Sequence, residues 1–292
     1  MTSKWLREQQ LDEIIGILNH QKLRKFLGMN GCMYPDLVKV FYTNRQFDGQ
    51  NICTHLKGVD MLITPKEWFA ITGLRHEGQQ IERKALEDFN KTQFFKTCMR
   101  NPNEEVKSFG VGKLAITSRI LKLLIVWILT PRGSNHATFT EEDLMLLYCL
   151  INKVKVDWVF TMKDHMFKAQ KLNDYKLPYA ILISRMLEFF EVDLVDELVE
   201  NLKTTSEINQ SMLNRIGLQK VNGAWTYKGG DSEGVGSSGV AGQEDAKLPH
   251  TTKAPMLPFV PPPPHQEPMT SFERLMISRM DIITEEQVTH HE

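Results

Sequence analysis

Closely paired cysteines are missing from this 292-residue sequence, which has four cysteines in all. They are Cys32, Cys53, Cys98 and Cys149. Disulfide frameworks and cysteine-based zinc sites need cysteines at short, paired spacings, so the sequence offers neither a disulfide framework nor a zinc knuckle. We expect free thiols in a reducing compartment.

Long apolar runs are also missing. The longest, residues 123–129, is bounded by Lys122 and Arg132, whereas a membrane span needs about 20 apolar residues. The polar and charged first 13 residues do not resemble the apolar centre of a secretory signal. We therefore expect an intracellular protein, cytoplasmic or nuclear, that does not contact a membrane.

The common catalytic signatures are absent, including G-x-S-x-G, H-E-x-x-H and C-x-x-C. Cys53 and His55 could supply two metal ligands, but no second pair stands near them, which favours a buried thiol and a histidine at a strand edge. Residues 110–113 (GVGK) lack the spacing of a phosphate loop and favour a turn before a helix. We predict a protein that is not an enzyme and uses no metal, cofactor or small-molecule substrate.

What the sequence does contain is a globular composition with an uneven charge. Hydrophobic residues make up 41% and charged residues 24%, values that are typical of one large domain or two small ones. Residues 1–228 hold 31 Lys and Arg against 26 Asp and Glu, a surplus of +5, and residues 229–292 hold 4 against 10, a balance of −6. A mildly basic body permits contact with nucleic acid without requiring it.

Apolar residues at helical spacing predict most of the body. The predicted helices cover residues 4–27 with a break near 19–20, 35–43, 80–99, 114–130, 140–155, 157–169 and 177–190, and residues 195–202 are predicted as a short acidic helix or its fraying end. The helix at 114–130 has its polar residues in the first half and an apolar second half, which predicts a helix buried at the centre of a domain. Thr140 and Asp157 are predicted N-caps.

A β-hairpin is predicted for residues 52–56 and 59–63. Directly after it, Thr64, Pro65 and Glu67 form a capping box that predicts a helix ending at Gly73. Residues 216–227 could form another hairpin around Asn222-Gly223. The predicted fold class is mainly α, a multi-helix globular body over residues 1–228 with one small β-hairpin, followed by a disordered C-terminal tail.

The predicted tail has three parts. Residues 229–270 read as a disordered linker rich in Gly, Ser and Pro, residues 271–283 as a short amphipathic segment that needs a partner to fold, and residues 284–292 as a disordered terminus. P-x-x-P spacings and helical apolar spacing give the candidate docking residues. These are Pro255, Pro258, Pro261, Pro264, Phe272, Leu275 and Met276.

Two local groups of basic residues are candidates for nucleic-acid contact, although a solvated helical face is the ordinary alternative. The candidates are Lys22, Arg24, Lys25, Lys163, Lys168 and Lys171.

Several short motifs occur in a familiar order. Residues 33–42 (MYPDLVKVFY) fit a YP-[DE]-LV-x-x-FY pattern, and residues 57–60 and 64–74 follow at the spacing of two short strands and a helix that ends in Gly-Leu. Trp127 and Pro131, an L-L-Y-x-L run at 146–150 and an L-P-Y run continuing to Arg185 come next. Over about residues 5–193 the chain resembles the Athila-type first-reading-frame, Gag-like proteins of plant retrotransposons and the related plant transposon protein domain.

This resemblance implies a non-enzymatic structural protein that self-associates and packages RNA. Because the sequence has no zinc knuckle, reverse transcriptase or protease signature, we expect only weak RNA binding, from a fragment or from a copy that no longer packages. One alternative is a host-recruited interaction module whose Pro-rich tail docks a partner. Another is a metal-dependent strand-transfer enzyme, which would need carboxylates on adjacent strands of a sheet.

Overall fold

The computed structural model describes residues 11–81, 89–170, 177–201 and 209–229, together with Leu6 and Glu8. The chain divides after Lys228 into two units, and every described residue except Gly229 belongs to the first. Lys171 and the predicted linker, amphipathic segment and terminus beyond Gly229 lie outside the described residues. So do all the predicted docking residues, Pro255, Pro258, Pro261, Pro264, Phe272, Leu275 and Met276.

Helices form most of the regular structure in the described ranges. They are α1 (Asp12–His20), α2 (Arg24–Leu27), α3 (Pro35–Asn44), α4 (Pro65–Thr72), α5 (Lys91–Cys98), α6 (Ile116–Leu124), α7 (Glu141–Ile151), α8 (Trp158–Gln170), α9 (Ala180–Phe189) and α10 (Gln210–Arg215). A 3-10 turn (Val111–Lys113) precedes α6, and a π-helical turn (Ile125–Leu129) continues it. None of the helices in the described ranges has both the length and the apolar character that crossing a bilayer requires.

Strands form three small antiparallel sheets in the described ranges. They are β1 (Cys32–Met33), β2 (Gln46–Asp48), β3 (Asn51–Leu56), β4 (Val59–Ile63), β5 (Glu200–Asn201), β6 (Leu218–Val221) and β7 (Ala224–Tyr227). β1 pairs with β5, β2 to β4 form a three-stranded sheet, and β6 pairs with β7. The prediction of a mainly α fold with one small hairpin is therefore wrong, since about 48% of the described residues are helical and 16% are in strands or isolated bridges.

The strands that the sequence did not reveal are the short ones. β1 and β5 have two residues each, and β2 has three, which is too few for an alternating apolar pattern to show. β1 and β5 also come from distant parts of the chain, with Cys32 opposite Asn201 and Met33 opposite Glu200. Only the folded body brings them together.

The predictions that rested on adjacent residues are confirmed. β3 and β4 pair from Ile52 opposite Ile63 to Leu56 opposite Val59. The Thr64 capping box is present, and Gly73 ends α4 with a φ of 75°, a conformation that glycine adopts without strain. The hairpin around Asn222-Gly223 also forms, with positive φ at both turn residues, as a two-residue hairpin turn requires.

The two predicted N-caps are also confirmed. The Thr140 hydroxyl accepts from the Asp143 N–H at 3.1 Å, and the Asp143 carboxylate accepts from the Thr140 N–H at 2.8 Å. At the start of α8, an Asp157 carboxylate oxygen accepts from the Phe160 N–H at 2.9 Å. Of the helix predicted over residues 80–99, α5 forms, residues 80–81 and 89–90 are not helical, and residues 82–88 lie outside the described ranges.

The helix at the centre of the body is buried along most of its length. Ile120, Leu121 and Leu124 in α6 are fully buried, as is Ile125 in the π-helical turn. The predicted burial at the centre of the body is therefore confirmed for most of this helix, with an exception in its apolar half. Lys122, in the more polar first half, is 1% exposed, whereas Trp127, in the apolar half, is 41% exposed. Lys122 is buried because its partners come from elsewhere in the fold.

The predicted helix at residues 195–202 is also wrong. The chain runs through a turn, with a φ of 63° at Asp196, and then enters β5. Lys57, in the turn between β3 and β4, donates a hydrogen bond to Glu197 at 2.8 Å. Pairing with Lys57 and with β1 therefore replaces the helix that the local sequence favoured.

Candidate nucleic-acid interface

A shallow cleft lies where three distant segments of the body meet. Its walls are residues 20–22 at the end of α1, residues 74–75 and 77 after α4, and residues 155–156 and 158 at the start of α8. The charged residues of the lining are Lys22, Arg75, Glu77 and Lys155. This cleft, called the cationic cleft below, is the candidate functional site.

Gln21 links two of the segments that line the cationic cleft, the end of α1 and the start of α8. Its side chain is buried, and its amide N–H group donates to the Val154 carbonyl at 2.7 Å and to the Cys149 carbonyl at 3.5 Å. Its amide oxygen accepts from the Val156 N–H at 3.1 Å and from the Trp158 indole N–H at 3.2 Å. Because a buried amide has two donors and one oxygen to satisfy, this set of bonds fixes the end of α1 against the start of α8.

The third segment, after α4, is held against the start of α8 by a parallel β-bridge. The Gln79 N–H donates to the Lys155 carbonyl at 2.8 Å, and the Asp157 N–H donates to the Gln79 carbonyl at 3.0 Å. Gly78 has a φ of 115°, and a Cβ there would lie 2.8 Å from the Lys155 carbonyl oxygen. Only glycine therefore permits this close approach. The imidazole of His76 also contacts the buried Asp157 carboxylate.

Positive charge exceeds negative charge in the cationic cleft. The Lys22 ammonium lies 3.0 Å from the Glu77 carboxylate, and both side chains are about half exposed. The hydrogen bond and the charge of Lys22, followed by the charges of Lys155 and Arg75, lower the pKa of Glu77. Three cationic side chains thus share one carboxylate, which leaves a local surplus of positive charge open to solvent.

Such an arrangement can bind phosphate groups, but its one tryptophan is not exposed for stacking with a base. Lysine and arginine side chains contact the phosphates of nucleic acids, and these contacts carry no sequence information. Trp158, the aromatic ring of the lining, is 1% exposed and its N–H is already bonded to Gln21. It therefore offers no face on which a base could stack.

The first predicted basic group lies at this cleft. Lys22 is part of the lining. Arg24 and Lys25, in α2, are exposed, and the Lys25 ammonium donates to the Ala70 carbonyl at 2.5 Å while its alkyl chain lies against Gly73. The first group thus contributes one lining residue and two neighbours.

The second predicted basic group is engaged within the fold. Lys163 is buried, its ammonium donates to the Gly49 carbonyl at 3.1 Å, and burial lowers its pKa. Lys168 pairs with Asp164 at 2.5 Å and with Glu142 at 3.0 Å. Lys171 lies outside the described residues. We therefore place the candidate interface at the first group.

Two cationic residues of the cleft were missed by the sequence reasoning. Arg75 and Lys155 are far from Lys22 and from each other in the chain, and neither lies in a basic run. Their convergence depends on the Gln21 bonds and on the bridge at Gln79. No local pattern in the sequence carries that information.

A second charged cluster lies inside the body. The Lys122 ammonium is 2.6 Å from the Asp143 carboxylate, and the Arg132 guanidinium is 2.9 Å from the same oxygen. Lys122 also lies over the Phe139 ring, 4.3 Å from its centroid. Burial lowers the pKa of Lys122 to about 8 despite its carboxylate partner. Because Lys122 and Asp143 are almost fully buried, this cluster joins α6 to α7 and does not face a ligand.

Over the described ranges, no group of three or more His, Cys, Asp and Glu side chains is placed to hold a metal ion. No protein-family model, no curated protein and no solved structure matches the chain. The resemblance to Gag-like proteins therefore stays a prediction from the motifs quoted above.

Proposed function

We propose that this chain is a non-enzymatic, Gag-like assembly protein from a plant retroelement and that its body binds RNA weakly through phosphate contacts in the cationic cleft. The convergence of Lys22, Arg75 and Lys155 around one carboxylate carries the RNA-binding part of the proposal. The order of the sequence motifs supports the Gag-like part.

The composition of the cleft accounts for weak and unspecific binding. Three cations can neutralise only a few phosphates, and binding that rests on phosphate contacts alone usually has a Kd of roughly 10⁻⁴–10⁻⁶ M. Glu77 also competes with phosphate for the same cations. Binding should therefore tighten when Glu77 loses its charge.

The proposal is tested by fluorescence anisotropy with a labelled single-stranded RNA at low salt. Arg75→Gln/Lys155→Gln should weaken binding about tenfold or more, because it removes two of the three cations. Glu77→Gln should tighten binding. The control is Lys39→Gln/Lys66→Gln, which removes two exposed lysines outside the cleft lining and should change the affinity far less.

An equal loss of RNA affinity in the cleft variant and in the control would show that RNA binding depends on the net charge of the protein and not on the cleft. The assembly part is tested by sedimentation velocity over a range of concentrations. We expect concentration-dependent oligomers. A strict monomer at high concentration that also ignores RNA would contradict the whole proposal.

A further inference from the structure

The segment between α9 and β5 carries three exposed aliphatic side chains within five residues. Val195, Leu198 and Val199 are 70%, 59% and 47% exposed. In the same segment Val192 is buried and Leu194 packs against the core. The apolar residues of the segment therefore divide into a group that packs against the core and a group that is exposed. Exposed apolar residues that occur singly are ordinary, but a group of them marks an interaction surface.

The backbone that carries these side chains is held in place. Glu197 pairs with Lys57 at 2.8 Å, and the Asp193 carboxylate accepts from the Val195 N–H at 3.0 Å. β5, directly after the segment, pairs with β1, and the Cys32 thiol donates to the Asn201 side chain at 3.3 Å. The exposed side chains are therefore presented on a fixed support, which lowers the entropy cost of binding.

The negative charge of the segment favours a basic partner. Residues 189–201 contain five Asp and Glu and no Lys, Arg or His. Glu197 pairs with Lys57, and within the described part of the chain the other four carboxylates make no ion pair. These are Glu191, Asp193, Asp196 and Glu200. Two copies of this surface would repel each other, whereas basic side chains would be attracted to it.

We propose that this surface, defined as the exposed aliphatic side chains Val195, Leu198 and Val199 with the four carboxylates outside the Lys57 ion pair and called the 191–200 surface, docks a basic amphipathic peptide segment of a partner protein. Apolar residues of the segment cover the three aliphatic side chains, and its Lys or Arg residues face the carboxylates. This inference goes beyond the proposed function, because it requires neither RNA nor the cationic cleft.

The test uses the full chain and a fluorescent synthetic peptide of leucine and lysine with its leucines at helical spacing. A peptide of the same composition, with the leucines scattered around the helix, is the reference. Val195→Ser/Leu198→Ser should weaken binding of the first peptide about tenfold or more. Asp193→Asn/Asp196→Asn should weaken it and reduce its salt dependence.

Matched controls replace exposed residues elsewhere. Val40→Ser/Val221→Ser removes two valines that are 39% and 46% exposed, and Glu105→Gln removes one exposed carboxylate. Both should leave peptide binding unchanged. Equal binding of the two peptides, or unchanged binding by both test variants, would overturn the proposal. So would self-association of the full chain that Val195→Ser/Leu198→Ser abolishes, because a second copy would then occupy the surface.

Discussion

Lys122 shows how one buried charge depends on its partners. Its side chain is 1% exposed, and removing an ammonium from water costs several kcal/mol in proteins. Asp143 offsets that cost with a direct ion pair, and the same carboxylate holds Arg132 and accepts from the Thr140 N–H. One oxygen of Asp143 thus links α6, α7 and the segment between them.

Asp143→Asn should therefore destabilise the protein by about 3–5 kcal/mol, because it leaves the buried Lys122 without a counter-charge. Urea unfolding followed by circular dichroism measures the change. The comparison is Asp36→Asn, which breaks an exposed pair with Lys39 and should cost about 1 kcal/mol or less. Similar losses in the two variants would mean that the buried pair contributes no more than a surface pair.

Lys122 also predicts a pH dependence. Burial lowers its pKa in the folded state from 10.5 to about 8, so between these pH values the unfolded chain holds a proton that the folded protein has released. Stability from this group is lowest below pH 8 and rises as the pH increases toward 10.5, by at most about 1.4 kcal/mol per pH unit. Lys122→Met should lack this rise.

The comparison with Lys122→Met is needed because other buried groups lower the stability of the protein as the pH rises. Burial raises the pKa of Cys98 and of Cys149 to about 11, so their contribution to stability falls as the pH rises above 9. Both proteins share that fall. The difference in unfolding free energy between them isolates Lys122, and a difference that stays constant from pH 8 to pH 10.5 would contradict the prediction.

Among the elements, the β6–β7 hairpin contacts the body through Tyr227 as well as through its buried Leu218 and Trp225. The guanidinium groups of Arg100 and Arg119 lie 4.7 and 5.0 Å from the centroid of the Tyr227 ring. Its hydroxyl donates to the Leu114 carbonyl at 3.1 Å. Cation–π contacts and a hydrogen bond thus combine at a single residue.

Tyr227→Ala should lower the free energy of local opening of this hairpin by roughly 1–3 kcal/mol, because the cation–π contacts and the hydrogen bond are lost together. Hydrogen exchange should show faster exchange of the amides in residues 218–227 than in the wild type, with the β3–β4 amides unchanged. Val221→Ala, at an exposed position of the same hairpin, is the control. Uniform acceleration over the whole body would mean that the hairpin belongs to the global folding unit.

The elements also show how far sequence reasoning reaches. The Thr64 capping box and the Asn222-Gly223 turn were predictable because all the atoms involved lie within a few residues. The β1–β5 pair was not, because two-residue strands leave no pattern. In the candidate site, Lys22 came from a local basic group, whereas Arg75 and Lys155 reach the cleft only through bonds between distant segments.

For the whole molecule, the three cations of the cationic cleft give a quantitative prediction about the salt dependence of RNA binding. If RNA contacts the three cations of the cleft, the logarithm of the binding constant should fall against the logarithm of the salt concentration with a slope of about −2. Anisotropy titrations at several salt concentrations measure this slope. Single-stranded RNAs of different sequence should give the same value.

Either of two outcomes would contradict this prediction. A slope several times steeper would mean that a wider basic surface contacts RNA, and a slope near zero would mean that phosphates are not contacted. Glu77→Gln is the internal check, because it should raise affinity without removing a cation.

The cationic cleft has walls from the end of α1, the segment after α4 and the start of α8, which has a consequence for synthesis on the ribosome. A growing chain cannot assemble the cleft before Trp158 has emerged, because Gln21 needs its partners from the start of α8. A linear basic tract could capture RNA as soon as it is translated. RNA binding in this cleft would instead require that the chain has been translated and folded as far as the start of α8. Bound RNA would then stabilise the folded body by mass action.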